Sequence, residues 1–229
     1  MLGTVVNSIA IILGSLLGVI IKQGIEDRYK KIVMDGIGLS VVIIGIAGGI
    51  KSENNILVII SIVLGSIIGE TIDIERKLNS LGDNMEKKLG RGDNNFSNGF
   101  VTASLVYCVG AMAIVGALES GLLGNHSTLF AKSILDGISS IIFASTLGIG
   151  VAFSAIAVFI YQGLIVLFAT YLKDFLTSEV ILEMSAVGGI LIMAIGLNIL
   201  DFKKIKVGNM LPAIFIPLIY YVCVFIFGL

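Results

Sequence analysis

The sequence predicts an all-α fold, a polytopic bundle of about eight membrane-spanning helices forming a single transmembrane domain over residues 1–229. Three observations predict it. Hydrophobic residues make up 56% of the chain and charged residues only 14%, whereas a soluble domain carries roughly 25% charged residues; the mean hydropathy is +1.04. The charges are clumped, leaving uncharged runs at Met1–Ile21, Gly36–Ile50, Asn94–Leu118, Gly137–Leu172, Met184–Leu200 and Val207–Leu229. Crossing the hydrocarbon takes ~20 apolar residues as a helix, and only helices or closed barrels satisfy their backbones there. These runs lack the alternation of a barrel strand.

The elements follow in order. Span one, 2–21, has no basic n-region and no small-residue cleavage site, so it reads as a retained span and not as a signal peptide. Span two, 32–50, opens with Asp35, and span three, 56–73, ends in Glu70 and Asp73 beside Arg76 and Lys77. The connection 74–98 carries apolar Ile74, Leu78, Leu81, Met85 and Leu89 every three or four residues between charged neighbours, the pattern of a cytoplasmic amphipathic helix at the membrane surface. Span four, 99–119, closes with Glu119, and His126 sits in the loop beyond it. The run Gly137–Leu172 would measure ~54 Å as one helix against a core of ~30 Å, so it must break. "LGIG" at Leu147–Gly150 supplies the reversal and gives span five, 130–148, and span six, 151–172. Span seven is 180–200, and span eight, 208–228, is interrupted by Pro212 and Pro217.

Charge asymmetry supports this count. The connections after spans one, three and seven hold twelve of the fifteen basic residues; only Lys51, Lys132 and Lys173 fall on the other side. With eight spans all three basic clusters face the cytoplasm and both termini lie outside.

"ILGSLLG" in span one returns as "VLGSIIG" in span three. Small residues four apart let helix backbones approach closely in lipid. Gly14/Gly18 and Gly65/Gly69 therefore form two packing faces, and such faces also suggest a homodimer. The alternative is that Ser15 and Ser66 line a pathway. A second repeat sets "GLSVVIIGI" from Gly38 against "GILIMAIGL" from Gly189, and "VVNSIAII" against "VAFSAIAVFI". It would make spans one to three and six to eight inverted repeats, an arrangement that places transport sites near the bilayer midplane.

Ionisable side chains inside a span are costly and are functional candidates by default. Asp136 is the deepest acid, about two turns or ~9–10 Å into span five. Ser133, Asp136 and Ser140 share a face with Gly137, and Ser139 lies beside it. Two readings stand: this face lines a hydrated pathway on which Asp136 attracts a cation or carries a proton, or Asp136 pairs structurally with Lys132 at i−4. Asn7, Gln162 and Asn198 are amides within spans, each needing a partner or contacting cargo; Asn7 and Asn198 are placed with Asp136 on the pathway. The spacing of Cys, His, Asp and Glu forms no metal site, and Cys108 and Cys223 read as small buried hydrophobes. No nucleophile–base motif, nucleotide-binding loop or nucleic-acid-binding stripe emerges, so neither catalytic residues nor a cofactor are expected.

"GFVTASLVYCVGAMAIVGALESGLLGNHS", "KSILDGISSIIFASTLGIGVAFSA", "SAVGGILIMAIGLNIL" and "GSIIGETIDIE" together resemble the YqgA/YdfK-like family of prokaryotic multi-pass membrane proteins. The resemblance covers essentially the whole chain. It implies a prokaryotic plasma membrane, with members often described as possible transporters, and it carries no assigned binding residues. The leading expectation is a transporter or channel for a small solute or ion, a cation or proton coupling being favoured. The alternative is a sensor or scaffold acting through Ile74–Leu89.

Overall fold

The computed structural model describes residues 1–22, 27–89, 96–108 and 111–227. Within them the chain is helical and contains no strands. The helices are α1 (Leu2–Lys22), α2 (Asp27–Gly49), α3 (Asn55–Ile72), α4 (Ile74–Leu89), α5 (Phe96–Cys108), α6 (Ala111–Leu122), α7 (Ser127–Leu147), α8 (Gly150–Leu172), α9 (Ser178–Ile199), a 3-10 segment (Val207–Phe215) and α10 (Ile216–Phe227).

Among the described residues, six segments are long and apolar enough to cross a membrane, and they coincide with expected spans one, three and five to eight. The break at "LGIG" is where the long apolar run divides: α7 ends at Leu147, Gly148 takes φ 85, and α8 starts at Gly150. Expected span two corresponds to α2, whose described apolar part is Met34–Gly49. Span four is divided between α5 and α6, whose directions differ by 62°. Each half measures only about 20 Å at ~1.5 Å per residue, too short to cross alone.

Span eight is interrupted as its prolines predict. Pro212 lies inside a nine-residue 3-10 segment, and Pro217 falls in the first turn of α10, where its missing N–H costs nothing. The amphipathic connection does form a helix, α4, set off from α3 by Asp73 in a left-handed conformation. Ile74 and Leu78 are half-buried; the side chains of Leu81, Met85 and Leu89, and residues 90–95, lie outside the described part.

The chain, read from sequence as one domain, groups into two compact units, each drawing on both halves. The first holds Met1–Val33, Lys77–Cys108 and Met112–Thr170. In it α1 runs parallel to α7: Gly3 abuts Leu129, Gly14 abuts the Gly137 carbonyl, and Gly18 abuts the Ile141 carbonyl. A methyl group at Gly14 or Gly18 would collide with those carbonyls, so glycine is what permits the approach. Against α8, α1 runs antiparallel: Met1 touches Gly163, and the Ser8 hydroxyl donates to the Ala155 carbonyl at 3.3 Å.

The second unit holds Met34–Arg76, Val109–Ala111 and Tyr171–Leu229. Its central helix is α9, with 72% of its span buried against 28–39% for the other five full-length spans. α2 crosses α9 antiparallel on glycines, Gly38 meeting Gly196 and Gly45 meeting Gly189. α3 meets the 3-10 segment likewise, Gly65 at Ala213 and Gly69 at Asn209. Both glycine–serine copies are thus close-packing faces, and each packs on a different partner within the chain. They are therefore not free to hold a second copy.

Candidate functional site

In the first unit, α7 brings a pair of opposite charges into the membrane interior. At ~1.5 Å per residue Asp136 lies roughly 14 Å from the Ser127 end, near the middle of this 21-residue helix. It is deeper than the sequence suggests, because α7 begins before the uncharged run does. Lys132, one turn earlier, places its Nζ 2.9 Å from both carboxylate oxygens, and both side chains are 8% exposed. Removing two charges from water is costly, and their attraction repays it only with good geometry and further hydrogen bonds.

Those further bonds come from neighbouring helices. Asn7 on α1 donates its Nδ2 to Asp136 Oδ2 at 3.0 Å and approaches Gln162 Oε1 on α8 at 3.5 Å. Four residues beyond Asp136 on the same face, Ser140 shares a 2.9 Å hydrogen bond with the Tyr107 hydroxyl of α5. Asn7, Gln162, Ser140 and Tyr107 are all fully buried. The cluster retains unused capacity: Asn7 Oδ1 and Gln162 Nε2 are buried without a hydrogen-bond partner among the described residues, as is the Thr4 hydroxyl one turn before Asn7 on α1. Most buried polar atoms in proteins are paired, so these need a reason.

Of the residues expected on a pathway, Asp136 and Asn7 are thus brought into one buried network, and Ser140, one turn further along the same face, is buried in a separate hydrogen bond to Tyr107. Ser133 is buried beside them, but its hydroxyl donates to the Leu129 carbonyl of its own helix at 2.7 Å. Ser139 is half-buried and likewise bonds back, to the Leu135 carbonyl at 2.6 Å. Asn198 belongs to the second unit and does not join the network. Its amide clamps the Ile205 backbone, donating to the carbonyl and accepting the N–H, both at 2.8 Å. That is a structural closure of the loop after α9, made because an amide matches a peptide group.

Tyr107 and Thr4 escape a reading of the sequence, since each is one polar atom in an apolar run. Glu183 escapes it too. It is buried near the start of α9 and accepts hydrogen bonds from the Ser52 hydroxyl at 2.6 Å and from the Glu53 and Asn54 amides at 2.9 and 3.1 Å. Its signal was available: an acid one turn into a helix can gather the free amides of a nearby loop. The polar groups around the loop between α6 and α7 are paired, Glu119 accepting from Thr128 at 2.6 Å and His126 bonding Ser120 at 2.9 Å.

A second polar cluster gathers in the second unit at the ends of α3 and α4. Glu70 accepts from Lys206 and from Asn209, each at 2.6 Å; Asn209 in turn accepts the Glu75 N–H at 2.6 Å, and Glu75 accepts the Gly208 N–H at 3.0 Å. These contacts hold the start of the 3-10 segment, beside an open groove of ≈ 540 Å³ lined by Ser66, Ile67, Thr71, Ile205 and Met210. Burial pushes the Glu75 carboxyl above the usual carboxylate range, against the opposing hydrogen bond from Gly208. The Glu70 hydrogen bond holds the exposed Lys206 ammonium above its ordinary value.

Comparison with known proteins fits this whole-chain architecture. Residues 2–222 match the family described as "Protein of unknown function (DUF554)". The chain belongs to this family. Among its DUF554 relatives is "Uncharacterized membrane protein YdfK" of Bacillus subtilis (strain 168), 38% identical over 100% of this chain and 99% of the relative. "Uncharacterized protein YqgA" of Escherichia coli (strain K12) is 31% identical over 95% of this chain and 94% of the relative. No solved structure matches the chain. The chain is therefore a multi-pass helical membrane protein of the DUF554 family.

Proposed function

We propose that this protein carries a small solute or ion across the membrane, with a cation or a proton-coupled solute favoured, along a path through the Asp136 network. One observation carries the reading: an ion pair buried near the middle of a spanning helix, adjoining buried amide and hydroxyl atoms that have no partner. Packing alone gives no reason for such a group, because replacing a buried ion pair with apolar side chains is often neutral or stabilising. Intramembrane ionisable groups mark substrate and ion pathways for the same reason.

The helix crossings support an inverted repeat, and with it alternating access. Spans one and six, two and seven, and three and eight are the pairs the repeat would equate, and each pair meets antiparallel inside one unit. If Gly38 corresponds to Gly189 and Gly45 to Gly196, the contact Gly38–Gly196 turns into Gly189–Gly45, which is also present. A contact that maps onto itself in this way is what a local two-fold axis produces. The distribution of Lys and Arg supports an orientation with both termini outside, and the resemblance to bacterial relatives, one of them named a membrane protein, supports a prokaryotic plasma-membrane location. A homodimer would have to use faces other than Gly14/Gly18 and Gly65/Gly69.

The direct test is flux. Purified protein in liposomes, offered cations and amino acids in turn, should give solute-dependent uptake that Asp136→Asn reduces at least roughly tenfold. Uptake indifferent to that substitution would return Asp136 to a purely structural role, and no uptake of any solute by folded protein would sink the transport reading. A second reading, a sensor or scaffold signalling through α4, draws on the helix that forms there; deleting its apolar face would then abolish activity and leave flux intact.

A further inference from the structure

A carrier that used Asp136 to hold a cation would face a difficulty of charge, since that carboxylate already has one. Lys132 Nζ lies 2.9 Å from Oδ1 and 2.9 Å from Oδ2. Among the described residues, the elements packed around the pair bring no second charge to it. α1 contributes Thr4, Asn7 and Ser8, α8 contributes Gln162, and the titratable groups nearby are Tyr107 and Cys108 on α5 and Tyr161 on α8, uncharged in their protonated forms. A second cation beside this pair would leave two positive charges against one negative charge in the membrane interior, where like charges repel far more strongly than in water.

The unpartnered atoms supply what an arriving cation lacks. Asn7, the residue already bonded to Asp136, has a free buried carbonyl oxygen, and the Thr4 hydroxyl one turn away on α1 is also unpartnered. Hard cations that shed water need several oxygen ligands, and neutral oxygens beside one carboxylate suit a monovalent ion.

We infer that Lys132 is a built-in competitor for a transported monovalent cation, so that cation binding at Asp136 and loss of a proton from Lys132 are one exchange. A cation takes the carboxylate and the Asn7 and Thr4 oxygens. The Lys132 ammonium leaves the carboxylate, one N–H bond breaks with its electron pair staying on Nζ, and the proton passes to water on the side from which the cation came. One positive charge enters and one departs, so the site keeps its net charge throughout. On the other side of the membrane the steps reverse, and the protein exchanges one cation for one proton. The exchange rests on the transport reading above and adds its coupling.

The test uses the full chain in liposomes holding a pH-sensitive dye, with Li⁺, Na⁺ and K⁺ offered singly. Wild type should move protons opposite to one of these cations, one for one, with no net current on a solid-supported membrane. Lys132→Gln has no ammonium to release; any exchange that remains must use a proton on Asp136 itself, so its pH profile should move to the acid side of wild type. Lys132→Arg preserves the pair but holds its proton, so exchange should fall roughly tenfold or more while the fold survives. Wild type moving cation without counter-moving protons overturns the exchange and leaves the transport reading standing. Lys132→Arg exchanging at the wild-type rate does the same. Folded wild type that moves none of the three ions overturns the exchange; if it also moves no other solute, the transport reading falls with it. Should Lys132→Gln fail to fold, the wild-type stoichiometry and the Lys132→Arg rate decide the matter.

Discussion

Asp136 and Lys132 hold each other 2.9 Å apart with almost no exposure, so removing one partner is not equivalent to removing both. Asp136→Asn leaves an ammonium in the membrane interior opposite a neutral amide. Loss of one partner of a buried pair costs about 3–5 kcal/mol, whereas replacing both is often neutral. Thermal unfolding in detergent should therefore show Asp136→Asn strongly destabilised, and the double variant Asp136→Asn, Lys132→Gln recovering most of the loss. A double variant weaker than either single one would mean that the pair is not the unit described. At this scale the acid was legible, because a carboxylate inside an apolar run is rare enough to be noticed alone. Tyr107 becomes meaningful only when α5 brings its hydroxyl within bonding distance of Ser140, and Gln162 acquires a definite partner only when α8 meets Asn7 of α1.

Among elements, glycine spacing separates contact faces from open ones. Gly14 presses its backbone on the Gly137 carbonyl, whereas Gly36 on α2 has open space around it. Gly14→Val should lower stability by at least about 1–3 kcal/mol, because a carbonyl cannot rotate away as a side chain does. Gly36→Ala should be neutral or slightly stabilising, since alanine favours a helix by ~1 kcal/mol over glycine. Equal melting temperatures for the two variants would refute the α1–α7 packing. The cluster at the junction of α3 and α4 gives a pH effect. Glu75 is held above its unfolded pKa by burial, so its contribution is fully present below the unfolded value and is lost as pH rises through the folded one. Stability should accordingly decline across the mildly acidic range above ~4.3, the ordinary glutamate value, and Glu75→Gln should flatten that decline. A steeper decline in the variant would assign the effect to another group.

For the whole molecule, orientation is the property that charge alone predicts. In a background with Cys108 and Cys223 replaced by alanine, a cysteine at His126 should react with an impermeant thiol reagent in intact cells. One at Lys203 should react only after the membrane is opened. The reverse pattern would invert the topology and remove the positive-inside argument. Apolar run lengths, the "LGIG" reversal and the prolines of span eight were enough to delimit six spans, because each follows from local backbone chemistry and bilayer thickness. The division of span four into α5 and α6 was not foreseen, since the run "VTASLVYCVGAMAIVGAL" carries no charge, proline or polar turn.

By itself the sequence determined that the chain is helical, that it crosses a membrane repeatedly, and that Asp136 is out of place in lipid; these are matters of composition and of 3.6-residue periodicity. Only the tertiary structure decided which glycine faces meet, that Asn7 joins Asp136 while Asn198 closes a distant loop, and that Lys132 already occupies the carboxylate. The physical reason is that apolar helices in lipid have no strong preference for one neighbour over another until backbone shape and hydrogen-bond geometry select it. Those selections are made across more than a hundred residues of chain, between Asn7 and Asp136 or Gly65 and Ala213, where local spacing carries no information.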